Sequence, residues 1–65
     1  MKKLVTDVKE GDVIQCPHVK SYWGKVYSIE QTDKKITFFI VYTEGEMLGT
    51  KWHYNFYKTS KVIVK

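Results

Sequence analysis

The chain has 65 residues, and its eleven lysines, seven acidic residues and lack of arginine give a formal net charge of +4. A chain of this length is one domain, residues 1–65, and buries only about 60% of the surface that its unfolded form exposes. A single cysteine, Cys16, excludes an intramolecular disulfide framework. No segment approaches the roughly 20 apolar residues of a membrane-spanning helix, and no signal peptide follows Met1, so we expect a cytoplasmic protein that does not associate with membranes.

The amino-acid composition favours β-strands over helices. Ten residues are aromatic, while alanine is absent and valine, isoleucine and threonine are abundant. Aromatic and β-branched residues are those enriched in strands, and no segment carries apolar residues at sustained helical spacing. The sequence therefore predicts an all-β fold.

The first third of the chain contains one firm strand. Residues 2–8 alternate weakly and are expected to form a lead-in strand or an extended arm. A turn at Glu10–Asp12 follows, because Gly11 tolerates positive φ and aspartate bonds its own backbone. We predict the first firm strand over 12–16, ended by Pro17, which cannot donate a ladder hydrogen bond.

The middle of the chain is predicted to be a connecting loop over 18–23 and a strand over 24–31. In that strand Val26 and Ile29 are three residues apart, which breaks strict alternation and indicates a β-bulge. A tight hairpin turn is predicted at 32–34.

The clearest strand covers residues 35–43, where apolar side chains alternate on one face and the other face is partly apolar too. This pattern is typical of a central strand. A second hairpin turn is predicted at 44–46, followed by a strand over 48–54.

The end of the chain is predicted to contain a single helical turn over 55–59 and a last strand over 61–65. Phe56 and Tyr57 are expected to point in different directions, one into the core and one toward a protein contact or dimer seam. Short strands joined by hairpin turns predict a small barrel of about five antiparallel strands.

Three segments resemble the small SH3-like barrels of the KOW and Tudor type. Val8–Ile14 is similar to the x-x-G-D-x-V/I opening of these domains, and Gly24-x-Val26-x-x-Ile29 is similar to the core of a KOW motif. Residues 55–64 are similar to their closing helical turn and last strand. The resemblance, over about 8–64, implies an SH3-like barrel and a ligand that is RNA, DNA, a methylated side chain or another protein.

The residues that could support catalysis or metal binding are few. No spacing pairs a nucleophile with a base, or an acid with a base, so we predict that the chain is not an enzyme and needs no cofactor. Cys16-x-His18 could supply two metal ligands, with His53 as a third, but a structural zinc site takes four ligands. The alternative, which we favour, is a half-buried cysteine beside a loop histidine.

The strongest candidate binding element in the sequence is the loop Lys20-Ser21-Tyr22-Trp23-Gly24-Lys25. Tyr22 and Trp23 could stack on unpaired bases, while Lys20 and Lys25 hold phosphates. The alternative is that Trp23 covers an open end of the barrel and belongs to the core.

Two further groups are candidate partner-binding residues. Lys51, His53 and Lys25 could form a basic stripe across neighbouring strands, or simply a solvated outer face. Tyr42 could join Tyr22 and Trp23 in an aromatic cage for a methylated ammonium ion, assisted by Glu44.

The leading hypothesis from sequence is a non-enzymatic module that binds nucleic acid, RNA or DNA, with little sequence specificity. The basic charge biases encounters toward polyanions, and lysine lacks the rigid bidentate fork with which arginine reads guanine. The alternative is a protein–protein interaction module, either an adaptor or an inhibitor of a larger protein, such as a viral or phage accessory protein. The sequence leaves the oligomeric state open.

Overall fold

The computed structural model describes all residues, 1–65, and consists of β-strands apart from one 3₁₀ turn at Val5–Asp7. The strands are β1 (Lys2–Leu4), β2 (Val13–Gln15), β3 (Trp23–Gln31), β4 (Lys35–Tyr42), β5 (Lys51–Tyr57) and β6 (Lys61–Ile63). The prediction of an all-β chain is confirmed, with six strands in place of about five. No helix is long and apolar enough to cross a membrane.

The strands form two antiparallel sheets that meet at one bridge. Strands β2–β3–β4–β5 make a four-stranded meander, and β1 pairs with β6. An antiparallel bridge between Ile14 and Val64 brings the end of the chain back to β2. The sheet is therefore curled, an arrangement compatible with a small barrel.

The core lies inside this curl and is built on the period-two pattern of β4. Ile36, Phe38, Ile40 and Tyr42 all point inward and are buried, as the alternation predicted. Strand β4 is also central, between β3 and β5. The remaining members of the core cluster are Val5, Val8, Ile14, Cys16, Val26, Val62 and Val64.

The predicted bulge in β3 is confirmed. The register between β3 and β4 shifts between Val26 and Ser28. Val26 therefore points inward beside Ile40, and Ile29 beside Phe38, although Val26 and Ile29 are three positions apart in the sequence.

The turn before β2 is fixed by Gly11 and Asp12. Gly11 has φ of 97°, which a residue with a side chain rarely adopts. The carboxylate of Asp12 accepts a hydrogen bond from the Lys9 backbone N–H at 3.0 Å and pairs with the Lys3 ammonium at 3.3 Å. These contacts, the backbone hydrogen bond first, lower the pKa of Asp12.

Two predictions near the end of the chain were wrong. The fourth predicted strand, 48–54, is shifted: β5 covers Lys51–Tyr57, after an eight-residue connection over 43–50. The predicted helical turn over 55–59 is absent, because 55–57 pair with 35–37 of β4. A short turn at 58–59, closed by a 2.9 Å hydrogen bond from the Ser60 N–H to the Tyr57 carbonyl, leads into β6.

Candidate nucleic-acid interface

The outer sheet face is the surface of β3, β4 and β5 that points away from the core. Side chains alternate between the two faces of a strand, so the residues between the buried positions share this surface. Its members include Lys25, Tyr27 and Glu30 of β3, Lys35, Thr37, Phe39 and Val41 of β4, and Lys51, His53, Asn55 and Tyr57 of β5. Three of these residues are lysines and one is acidic.

An aromatic row crosses the outer sheet face at its centre and consists of Tyr27, Phe39 and His53. The ring centroids of Tyr27 and Phe39 are 6.4 Å apart, and those of Phe39 and His53 are 5.9 Å apart. Phe39 pairs with His53 across β4 and β5, while Tyr27 lies at the bulge of β3. Three neighbouring strands thus place three rings in one line.

Two lysines flank the aromatic row on one side. Lys25 and Lys51 both pair with Val41, one from each neighbouring strand, so their backbones are about 10 Å apart at the usual strand spacing. The register of the three strands thus places Lys25, Lys51 and His53 on one face of the sheet. The Lys51 ammonium lies 5.2 Å from the centroid of the Tyr27 ring, which joins the lysine to the row.

A second cation–π pair lies farther along the same face. The Lys35 ammonium is 5.3 Å from the centroid of the Tyr57 ring, and these two residues pair across β4 and β5. Tyr57 is 62% exposed. Phe56, by contrast, turns inward and contacts Phe38 at 5.6 Å, so the two neighbours do point apart as predicted.

The predicted binding loop, Lys20–Lys25, does not form one surface. Tyr22 turns inward, and its ring meets Tyr42 edge-on at 5.8 Å. Trp23 begins β3, is half-buried and lies under the Lys65 ammonium at 5.0 Å. Lys20 stays exposed in the loop between β2 and β3. The alternation of the strand separates the two rings that were expected to act together.

Tyr42 belongs to the core and not to an exposed site. It is 6% exposed, and its hydroxyl is 2.6 Å from that of Tyr54. The three-ring cage would need Tyr22, Trp23 and Tyr42 around one point, whereas Trp23 lies on the opposite face from the other two.

Cys16 and His18 are placed in different surroundings. Cys16 is buried, and burial raises the pKa of its thiol. The His18 ring packs against Tyr54 at 5.9 Å. His53 lies on the outer sheet face, and no group of three or more His, Cys, Asp or Glu residues is arranged to hold a metal ion.

Sequence reasoning missed Tyr27 and Phe39 as candidate binding residues. One signal was available: Phe39 and Val41 make the second face of β4 apolar. The same pattern also fits a sheet that is covered on one side only, where Phe39 and Val41 are half-buried outside the core.

Comparison with known proteins finds no family model, no curated protein and no solved structure that matches this chain.

Proposed function

We propose that this chain is a non-enzymatic module that binds single-stranded nucleic acid, RNA or DNA, on its outer sheet face with little sequence specificity. The observation that carries the proposal is the aromatic row of Tyr27, Phe39 and His53 flanked by Lys25 and Lys51. Rings and cations side by side on an exposed sheet are the two elements that hold unpaired strands.

A stacked base should bind the Tyr27 ring more strongly than the Lys51 ammonium that now lies over it. A cation–π contact at an exposed site is worth about 0.5–1 kcal/mol, whereas a base stacked on an aromatic ring contributes roughly 1–3 kcal/mol. A base can therefore displace the Lys51 ammonium from the ring. The displaced ammonium then lies beside the strand, where it can meet a phosphate.

The absence of arginine favours binding of nucleic acid without sequence specificity. The exposed cations of the outer sheet face are Lys25, Lys35 and Lys51, which attract phosphates as point charges. Every base presents a π-face, so stacking is tolerant of sequence. A duplex hides those π-faces in its base stack, and we therefore expect single strands to bind more tightly than duplexes.

We further propose that the curled sheet is an SH3-like barrel of the KOW or Tudor type and that the protein acts in the cytoplasm. Two features support the barrel assignment: the antiparallel meander β2–β3–β4–β5, and the Ile14–Val64 bridge that joins the last segment to β2. The bulge at Val26–Ser28 falls within the part of the sequence that resembles the KOW core.

The first test is a salt titration of binding to fluorescently labelled single-stranded DNA and RNA, followed by anisotropy. If three lysines neutralise three phosphates, log K should fall with log salt at a slope of about −2, which is roughly a 20-fold loss between 50 and 200 mM salt. A matched duplex should bind more weakly. Absent binding, or binding that does not depend on salt, would contradict the proposal.

A pair of substitutions separates stacking from general hydrophobic exposure. Tyr27 is 44% exposed and Val19, in the loop before β3, is 42% exposed. Tyr27→Ser should weaken single-strand binding at least about fivefold, because a stacked base contributes roughly 1–3 kcal/mol. Val19→Ser should leave the affinity unchanged. Equal effects of the two variants would show that Tyr27 is not a stacking platform.

The second candidate function is a protein-interaction module, favoured by exposed apolar side chains on and before β5. Leu48 is 66% exposed and Trp52 is 56% exposed, and β5 is an edge strand of the four-stranded sheet. Edge strands can pair with an extended segment of a partner. Recovery of one stoichiometric protein from the native host, lost on Trp52→Ser but kept on Tyr27→Ser, would favour this function over nucleic-acid binding.

A further inference from the structure

The structure contains one cleft, with a volume of about 210 Å³, beside the junction of β2 and β6. Gln15, Cys16 and Pro17 form one side, at the end of β2. Strand β6, Lys61–Ile63, forms the other side. The remaining lining residues, Lys2, Lys20 and Phe56, come from β1, the β2–β3 loop and β5.

Three lysines line this cleft and no acidic residue does. They are Lys2, Lys20 and Lys61, from three separate parts of the chain. The ion pairs in the molecule, Lys3–Asp12 and Lys65–Glu44, involve other lysines. Three lysines and no carboxylate therefore line one concave site, an arrangement that an anion would stabilise.

Gln15 holds the loop lysine at the cleft. Its side-chain Nε2 donates a hydrogen bond of 2.8 Å to the backbone carbonyl of Lys20. This contact ties the loop to the end of β2, so Lys20 remains beside the opening. The backbone of Lys20 is thereby held at the rim of the cleft.

The cleft is also partly apolar. Cys16 is 2% exposed and Val62 is 6% exposed, and Pro17, Phe56 and Ile63 add apolar surface. A ligand that combines an anionic group with an organic group would satisfy both kinds of lining.

The volume and the charge of the cleft limit the class of ligand that it can bind. A volume of about 210 Å³ lies below the 300 Å³ or more of most small-molecule pockets. A phosphate with a small organic group fits that space, with any larger remainder outside. A phosphomonoester carries close to two negative charges and three acceptor oxygens, which match three ammonium groups better than a singly charged carboxylate does.

We propose that this cleft binds a phosphomonoester, with the phosphate between Lys2, Lys20 and Lys61 and the organic group against Phe56. This site is separate from the aromatic row and does not depend on the proposed nucleic-acid binding. A free sugar phosphate and the 5′-phosphate end of a nucleic-acid strand share this chemistry, and the experiment distinguishes them.

The test is an NMR titration of the ¹⁵N-labelled chain with ribose 5-phosphate, inorganic phosphate or ribose at constant ionic strength. Ribose 5-phosphate should shift the amide signals of Cys16 and Val62 saturably and more tightly than inorganic phosphate, and ribose should not shift them. Lys61→Gln and Lys20→Gln should each weaken binding about three- to tenfold, as expected for loss of a charged contact at a partly exposed site. Lys9→Gln, an exposed lysine outside the cleft, is the matched control.

A second arm compares 5′-phosphorylated and 5′-hydroxyl single-stranded oligonucleotides. Tighter binding of the phosphorylated strand, with the difference lost on Lys61→Gln, would identify the strand end as the source of the phosphate. Equal binding of both strands, with ribose 5-phosphate still bound, would identify a free phosphomonoester. The proposal is overturned if ribose 5-phosphate gives no saturable shift, or if Lys9→Gln weakens its binding as much as Lys61→Gln does. Failure of both oligonucleotides to bind would refute the proposed function and leave the ribose 5-phosphate result intact.

Discussion

Gly24 of β3 lies against the side chain of Ile40 in β4, and its replacement by alanine tests the packing between these two strands. A Cβ at position 24 would lie 2.6 Å from Cδ1, 3.0 Å from Cβ and 3.1 Å from Cγ1 of Ile40. Carbon atoms that are not bonded pack best at about 3.5–4.0 Å. All three contacts are too short, and they involve a side chain that is fully buried.

The size of the effect follows from which of these atoms can move. The Cδ1 atom of Ile40 is the end of a side chain and can rotate away, but its Cβ atom is bound to the backbone of β4. Gly24→Ala therefore forces β3 and β4 apart by a few tenths of an ångström. Overpacking of this kind typically destabilises by about 1–3 kcal/mol. In a domain of this size each kcal/mol lowers the melting temperature by about 4–8 °C.

Urea denaturation followed by circular dichroism measures the change in the free energy of unfolding. Ile40→Val, which removes the closest atom, should alone destabilise by about 0.5–1.5 kcal/mol. The double variant should be at least about 0.5 kcal/mol more stable than the sum of the two single effects predicts, because the residues are in contact. If Gly24→Ala is as stable as the parent chain, or if the two effects add, the reasoning about this contact is wrong.

Three further predictions concern the turn before β2 and the buried hydroxyl pair. Asp12→Asn should lower the free energy of unfolding by about 1 kcal/mol at pH 7. Because the pKa of Asp12 is lowered in the folded chain, the stability difference between the parent chain and this variant should decrease as pH falls below about 4. Urea titrations at several pH values measure it. Gly11→Ala should lower stability by about 1 kcal/mol in the same assay, since its φ of 97° strains any side chain although no atom lies within 4 Å. Tyr54→Phe leaves the buried Tyr42 hydroxyl without its 2.6 Å partner and should destabilise by about 1–3 kcal/mol. Burial, with the hydrogen bond to Tyr42, raises the pKa of Tyr54 in the folded chain, so the parent chain should lose stability as pH rises above about 10. This loss should be smaller in Tyr54→Phe. Thermal melts of both chains at pH 7 and pH 11 measure the difference.

The elements with the strongest alternation were those that the sequence could predict. Strand β4 contains four inward apolar residues in sequence and lies at the centre of the sheet, so its pattern is complete. The hairpin turn at 32–34 and the bulge after Val26 are also as expected. In each case a local rule and the packing of the core favour the same structure.

Strand β5 was misplaced because its pattern is weak. It lies at an edge of the sheet and its burial alternates only between half-buried and exposed, so hydrophobicity does not fix its start. The preceding connection spans eight residues and contains two glycines with positive φ, Gly45 and Gly49. The predicted hairpin turn at 44–46 covers only part of this connection. Residues 55–57 resemble a helical turn locally, but pairing with β4 determines their conformation.

The candidate site was only partly predictable because it depends on register. Lys25, Lys51 and His53 could be assigned to one face from their own strands, yet the position of Tyr27 depends on where the bulge falls between Val26 and Ile29. Ser28 pairs with Phe39 and Tyr27 has no partner in β4, so a bulge shifted by one residue would move Tyr27 relative to Phe39. Sequence patterns indicate that a bulge exists but do not give its register.

The aromatic residues fall into two groups, those that pack in the core and those that lie outside it. Only half of the ten aromatic residues lie in the core or against it: Tyr22, Phe38, Tyr42, Tyr54 and Phe56. The other five, Trp23, Tyr27, Phe39, Trp52 and Tyr57, lie outside that cluster. Because the core is complete without them, packing does not explain why Tyr27 or Phe39 is aromatic, whereas a stacked base would. Substituting the exposed Tyr27 should therefore change the affinity for single-stranded nucleic acid far more than the stability of the chain. A substitution that changed both equally would show that the aromatic row serves packing and not binding.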